Sequence, residues 1–381
     1  MEKNIHFLKI NNFKSIDALE LTNLGHFMAL AGPNGSCKSN FFDALAFVAI
    51  FIRNGIEAAI NTYGGYGIIH SEKRRKDYAR QFDFEIQCSL LDANQKKHNF
   101  DYRLSIGELD VAIPRIEESL KMDGTTLLSR KRGELPRIFI DQGANEQTIP
   151  QFPPTHSALL LFQQLPIVAM LSNVRLYRIE PSSAKQTSPP YFISNVLEVN
   201  GQNLPAVLNK IEGNDAIRQT IMEWMETIVP GIEKIQTEQQ KLDSKTAVLF
   251  KEKGTRKQFP AHMISDGTIY ALCLLVAILE PPPYGWTLIE EPERGLHPYA
   301  IQELTNLMRD QSSANHAIWL STHSESVVRS LRPAELMLID KRDGRTKMRC
   351  ADAGNLTQET LIPLTLDEAW LSNLLNGGVP W

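Results

Sequence analysis

The sequence predicts an α/β protein with an antiparallel β insertion and a helical lobe. Three observations carry that expectation. Near the N-terminus an apolar run ends in a glycine-rich turn that opens an apolar helix, "HFMALAGPNGSCKSNFFDALAF". From Phe82 to about Ile140, apolar residues alternate with period two. In the last third, short apolar runs end in polar clusters, "WTLIEEPERGLHP" and "HAIWLSTHS". Parallel strands buried on both faces read as continuous apolar runs, whereas half-solvated antiparallel strands alternate.

Composition bounds the class. The chain has 381 residues, 43% hydrophobic and 22% charged, as folded domains do. A net charge of −4 gives no global attraction to nucleic acid or anionic membrane. Cys37, Cys88, Cys273 and Cys350 are scattered, without a C-x-x-C pair. A zinc site or disulfide framework is therefore not expected, and a reducing cytoplasm is. The N-terminus lacks the apolar run of a signal peptide. "YALCLLVAIL", Tyr270 to Leu279, is too short to span a bilayer, so no membrane association is expected.

The elements follow in order. Residues 1–60 read as strand, glycine-rich turn and helix. Residues 61–170 read as a β-rich insertion: "QFDFEIQCSL" and "HNFDYRLSI" flank the polar "LDANQKK", a hairpin signal. At its end "SALLLFQQLPIVAMLSNV" reads as helix interrupted by Pro166. Residues 171–260 read as a mixed, mainly helical lobe, with helical spacing in "NLPAVLNKIEG" and "AIRQTIMEWMETIV". Residues 261–381 return to α/β order and close with "ELMLIDKRDGRTKMRC" as a hairpin.

"GPNGSCKSN" approaches the phosphate-loop pattern G-x-x-x-x-G-K-[ST], in the strand–turn–helix setting that pattern needs. Gly32, Asn34, Gly35, Ser36 and Cys37 form the loop, Lys38 and Ser39 start the helix, and Asn40 follows. Backbone N–H groups there converge on phosphate oxygens. Lys38 is expected to reach the β- and γ-phosphates of ATP, and Ser39 to offer its hydroxyl to Mg²⁺. Cys37 replaces the usual glycine, and weakened or altered ATP affinity is expected from its side chain. In "IEEPERGLHP" a buried strand delivers two acids: Glu290 is assigned to the metal and Glu291 to the attacking water. His323, at the end of "WLSTHS", is placed to contact the γ-phosphate or that water. In "ISDGT", Ser265 and Gly267 open an apolar helix, an anion-binding arrangement. His297 reads as a loop or interface residue.

This order of motifs resembles the ABC-type ATPases. "NFKSI", "STHSESVV" and the terminal "DEAWLSNLLNGGVPW" resemble the RecF/SMC/OLD-like branch, predicted bacterial AAA-family ATPases without a Toprim domain. The resemblance implies an ABC-type P-loop ATPase head in which ATP lies between two subunits. Lys38, Ser39, Glu290, Glu291 and His323 then act in cis, and Ser265 and Gly267 in trans. By the same resemblance Lys14, in "NFKSI", is expected to approach the nucleotide, as the corresponding basic residue does in SMC-like proteins. No clear counterpart of the family's Q-loop glutamine stands out; Gln87 is one candidate. The resemblance also implies a homodimer or higher oligomer, a separate effector or nuclease, and DNA maintenance or phage defence as the setting. The basic runs at Glu72 to Lys76, Ser129 to Gly133 and Lys251 to Lys257 are candidate DNA contacts or solvated surface. A nucleotide-binding scaffold with little hydrolysis is the alternative to an ATP hydrolase. A transporter subunit is disfavoured by the β insertion and "ISDGT".

Overall fold

Helix α1 (Lys38–Asn54) is buried on nearly every side because it lies between two sheets. The computed structural model describes residues 4–33, 35–36, 38–69, 81–107, 115–140, 145–190, 196–241, 243–280, 284–342, 345–351 and 364–377. Asn34, Cys37 and the basic run at 72–76, singled out above, lie outside the described residues.

In chain order the first elements are β1 (Ile5–Phe13), β2 (Ile16–Leu24), β3 (Phe27–Ala31), α1, α2 (Ile56–Thr62) and α3 (Tyr66–Ile69). Then come β4 (Phe82–Leu91), β5 (Lys97–Gly107), β6 (Arg115–Met122), β7 (Thr125–Arg130), β8 (Arg137–Ile140) and β9 (Asn145–Thr148). A middle group follows: α4 (Pro166–Ser172), β10 (Val174–Tyr177), α5 (Pro181–Ala184), α6 (Leu204–Ile211), α7 (Asp215–Ile228), β11 (Ile232–Gln239), β12 (Thr246–Glu252) and β13 (Phe259–Pro260). The last are α8 (Asp266–Leu279), β14 (Gly285–Glu290), α9 (Pro298–Gln311), β15 (His316–Thr322), α10 (Glu325–Arg329), β16 (Leu336–Arg342) and β17 (Arg345–Cys350), before a helix at Leu366–Leu371.

The sheet that carries the site has the order β10-β14-β15-β3-β16-β17. Its first five strands are parallel, and β17 is antiparallel at the edge. Each strand feeds both faces. In β3, Met28 and Leu30 pack towards α1, whereas Phe27, Ala29 and Ala31 pack towards α8 and α9. In β15, Trp319 stacks on Phe41 of α1 at 6.0 Å, while Ile318 and Leu320 face the other layer. This is why β3, β14 and β15 read as unbroken apolar runs.

The second sheet is antiparallel, in the order β2-β1-β4-β5-β6-β7-β8-β9. The alternating segments at 82–140 therefore join the N-terminal hairpin directly, β4 pairing with β1 from Ile5 to Asn11. Their apolar face, with Leu8, Ile10, Phe84, Ile86 and Leu104, closes on the far side of α1. A third sheet, β11-β12-β13, packs with α6 and α7 in the mixed lobe.

A candidate nucleotide site at the strand ends

Register brings three motifs to one sheet edge. Glu290 at the end of β14 pairs with Ser321, and Thr322 at the end of β15 pairs with Ala31 at the end of β3. The acidic turn, the strand-end histidine and the glycine-rich loop therefore leave neighbouring strands at their C-terminal ends, where open α/β sheets collect ligands.

The loop after β3 closes on its own lysine. Lys38 Nζ donates to the carbonyl oxygens of Gly32 at 2.8 Å and Pro33 at 3.2 Å. Ser36 N–H donates to Pro33 O at 3.1 Å, and the buried Ser36 side chain sits against Gly32. Gly35 has φ +80°, a left-handed conformation that favours glycine. Asn40 donates its side-chain amide to Ser15 Oγ at 2.8 Å, tying α1 to the turn after β1.

Ser39 Oγ donates to Glu290 Oε2 at 3.2 Å, so hydroxyl and carboxylate meet at the start of α1. Glu290 Oε1 accepts from Arg178 at 2.8 Å, and the same guanidinium reaches Asp43 Oδ1 at 2.6 Å. Asp43 Oδ2 accepts from Lys14 Nζ at 2.5 Å, and Lys14 lies 4.9 Å from the centroid of the Tyr63 ring. Lys14 thus joins the site through Asp43, in a chain that alternates in charge: Lys14, Asp43, Arg178, Glu290. Burial pulls the Arg178 guanidinium down, but its bond to Glu290 and the charge of Asp43 push it up overall, so it stays cationic. Neither Asp43 nor Arg178 was selected from sequence. Asp43 left one signal, a lone acid inside the apolar "NFFDALAF". Arg178 left none, because it follows a four-residue strand too short to show a period.

Glu291 begins the turn after β14. Its N–H donates to Ser321 O at 2.8 Å, and its φ is +51°, unusual for a residue with a side chain. Its carboxylate lies 3.5 Å from His323 Nδ1, and both side chains are about half exposed. A third acid, Glu293, lies behind them. Its Oε1 accepts from Thr322 Oγ1 at 2.8 Å and from His323 N–H at 3.3 Å, and its other oxygen is buried without a protein partner. Burial raises its carboxyl above the ordinary carboxylate range. A raised folded-state value costs stability as pH rises from the ordinary carboxylate range through the folded value, with the full cost present above it. Glu293→Gln keeps the acceptor and removes the buried charge. It is expected to raise Tm by roughly 2 °C at pH 8, with no gain at pH 4, in melting curves at the two values.

Ser265 and Gly267 lie at the exposed start of α8. Ser265 is the helix N-cap, its Oγ accepting from Thr268 N–H at 3.2 Å, while Gly267 presses on the turn after β14. A Cβ at Gly267 would sit 2.4 Å from Gly295 O, so this packing alone requires glycine there. His297 caps α9, its Nδ1 accepting from Tyr299 N–H at 3.2 Å.

Gln87 is elsewhere. It lies on β4 opposite Asp101 and donates to Glu85 at 3.3 Å. It lines a surface depression with His6, Asn99 and Lys121, none of which belongs to the site. Its period-two strand carries it into the antiparallel sheet, so the structure does not bring it to the metal residues. The described basic runs are largely paired. Arg130 is buried against Glu118, Arg132 lies 3.2 Å from Glu117, Lys251 pairs with Glu233 and Lys253 with Glu226.

The donor chemistry suits Mg²⁺. A hydroxyl and a carboxylate, both oxygen donors, converge at Ser39 and Glu290. No cluster of three or more His, Cys, Asp or Glu able to hold a metal is found among the described residues. Mg²⁺ commonly takes one or two protein oxygens and the rest of its shell from phosphates and water.

The fold is that of an SMC/ABC-like P-loop ATPase head. The crystal structure of an SMC head bound to the C-winged-helix domain of ScpA superposes with a TM-score of 0.58 at 15% identity, covering 91% of this chain and 97% of that one. The SMC head with an extended coiled coil bound to the C-terminal domain of ScpA, from Pyrococcus furiosus, gives 0.55 at 14% identity, covering 94% and 98%. At residues 27–329 the chain matches, and it belongs to, the family described as "AAA domain, putative AbiEii toxin, Type IV TA system". A comparison with curated proteins finds no match. Among the described residues, no helix is long and apolar enough to cross a membrane.

Proposed function

We propose that this chain is an ATP hydrolase working as a nucleotide-gated dimeric switch. The observation that carries the reading is the meeting of Lys38, Ser39, Glu290, Glu291 and His323 at the ends of three adjacent strands. In this reading residues 1–60 and 261–381, joined by the edge strand β10, form the ATPase core around a β-rich insertion (61–170) and a mixed lobe (171–260).

The chemistry follows from the side chains. Lys38, freed from the Gly32 and Pro33 carbonyls, moves onto the β- and γ-phosphates. Ser39 and Glu290 would hold Mg²⁺, which when bound supplies positive charge against the phosphates. Glu291 orients the attacking water and accepts its proton. His323, beside it, donates a hydrogen bond to the γ-phosphate or the water. Ser265 and the first turn of α8, exposed on the surface, complete the site of a second copy. Dimer closure on ATP and reopening after hydrolysis then gate a separate partner.

The SMC heads above are each bound to part of ScpA, and the family description names a toxin–antitoxin system. Both favour an output through a separately encoded protein, an effector or nuclease in phage defence or DNA maintenance. Direct DNA contact has less support, since the described basic runs are mostly ion-paired. A nucleotide-binding scaffold is the second reading, favoured by Cys37 in place of the loop glycine.

Steady-state phosphate release with Mg²⁺ and ATP, run alongside light scattering, decides between them. The switch reading expects turnover that rises with protein concentration and a doubling of mass with a non-hydrolysable ATP analogue. Background release with tight ATP binding would leave the scaffold.

A further inference from the structure

The turn that carries Glu291 is braced by the same helix that carries Ser265. Tyr270 lies one turn into α8 and is almost fully buried. Its hydroxyl donates to Glu291 O at 2.7 Å and also lies 3.2 Å from Glu290 O. Burial raises the phenol far above its ordinary value, so it stays a donor at any physiological pH. The Glu291 backbone is therefore held at both ends: β15 takes its N–H through Ser321 O, and α8 takes its carbonyl. Between these two bonds the residue keeps φ +51°, a conformation a glutamate does not prefer. Four residues on, Gly267 of the same helix meets Gly295, where a Cβ would come within 2.4 Å of the carbonyl oxygen. Helix α8 thus touches the turn at its start and at its end.

We propose that Tyr270 is a positioning residue for Glu291, acting through the backbone of the acidic turn. The inference rests on the hydrolytic reading of Glu291. Rotation about φ or ψ at Glu291 would swing its carboxylate away from His323, and the phenol bond opposes that rotation.

Tyr270→Phe removes one oxygen and keeps the buried ring. The expected result is a kcat about tenfold lower with KM for ATP within about twofold, because a small misplacement of a catalytic group costs rate rather than ground-state binding. Amide hydrogen exchange is expected to quicken at Arg294 and Leu296, whose N–H groups bond back to Glu291 and Glu293 across this turn. Unchanged kcat, or unchanged exchange in the turn, would overturn the inference even if the wild type hydrolyses ATP. Parallel loss of kcat and ATP affinity with a large fall in Tm would overturn it too, by showing a structural role only. A wild type without turnover would remove the ATPase reading and this role together.

Discussion

Replacing Glu291 by glutamine is expected to lower steady-state phosphate release about 10³-fold while ATP affinity stays within about threefold. The amide has the shape of the carboxylate and can still orient a water, but it cannot take a proton from it. The backbone should not notice: the left-handed turn is held by Ser321 and Tyr270 through main-chain atoms. The change also removes one negative charge from beside the phosphates, which favours ATP if it alters affinity at all. Phosphate release and fluorescent-nucleotide binding, measured on the same preparation, check both halves. Equal turnover in wild type and variant would take water activation away from Glu291. Loss of ATP binding would make it a ligand instead.

The layout of the site was legible for a physical reason. Strands buried on both faces of a parallel sheet leave continuous apolar runs, and a polar cluster at the end of such a run lies at the ligand-binding edge. Hence Lys38, Ser39, Glu290, Glu291 and His323 could be picked from sequence. The residues that cross-link them could not. Asp43 and Arg178 join through side chains from a helix and from the residue just past an edge strand, 135 residues apart. Tyr270 acts on main-chain carbonyls, and its helix, "DGTIYALCLLVAIL", is so apolar that nothing marks one hydroxyl in it.

Secondary structure failed where segments were short. "SALLLFQQLPIVAMLSNV" read as one interrupted helix. The structure has a 3₁₀ turn at Ala158–Phe162, then α4, and Asn173 ends that helix before β10 pairs in parallel with β14. Four residues are too few to show a period. Pairing between β1 and β4, with most of the loop-helix unit between them, is a long-range fact that local alternation cannot encode.

The largest stability effect is expected far from the strand ends, at Glu118 on β6. Its side chain is fully buried and carries four donors: the Tyr102 and Ser157 hydroxyls, the Ala158 N–H at 2.7 Å and Arg130 at 3.4 Å. Arg130 also donates to His156 O and Pro154 O at 2.7 Å each and lies over the Phe152 ring. One ion pair thus fastens β6 and β7 to the segment at 152–157, whose next residues, Ala158 and Leu159, pack into the α1 core. Glu118→Ala would leave a buried guanidinium without its counter-charge and three donors without an acceptor. A cost of about 3–5 kcal/mol in denaturant unfolding is expected, at the upper end for a single residue. Replacing both partners by apolar residues, Glu118→Leu with Arg130→Met, should cost less than Glu118→Ala alone, since no charge is then stranded. The reverse order, or a single-variant loss under about 1 kcal/mol, would mean that water reaches this cluster and the insertion is held by its apolar face instead.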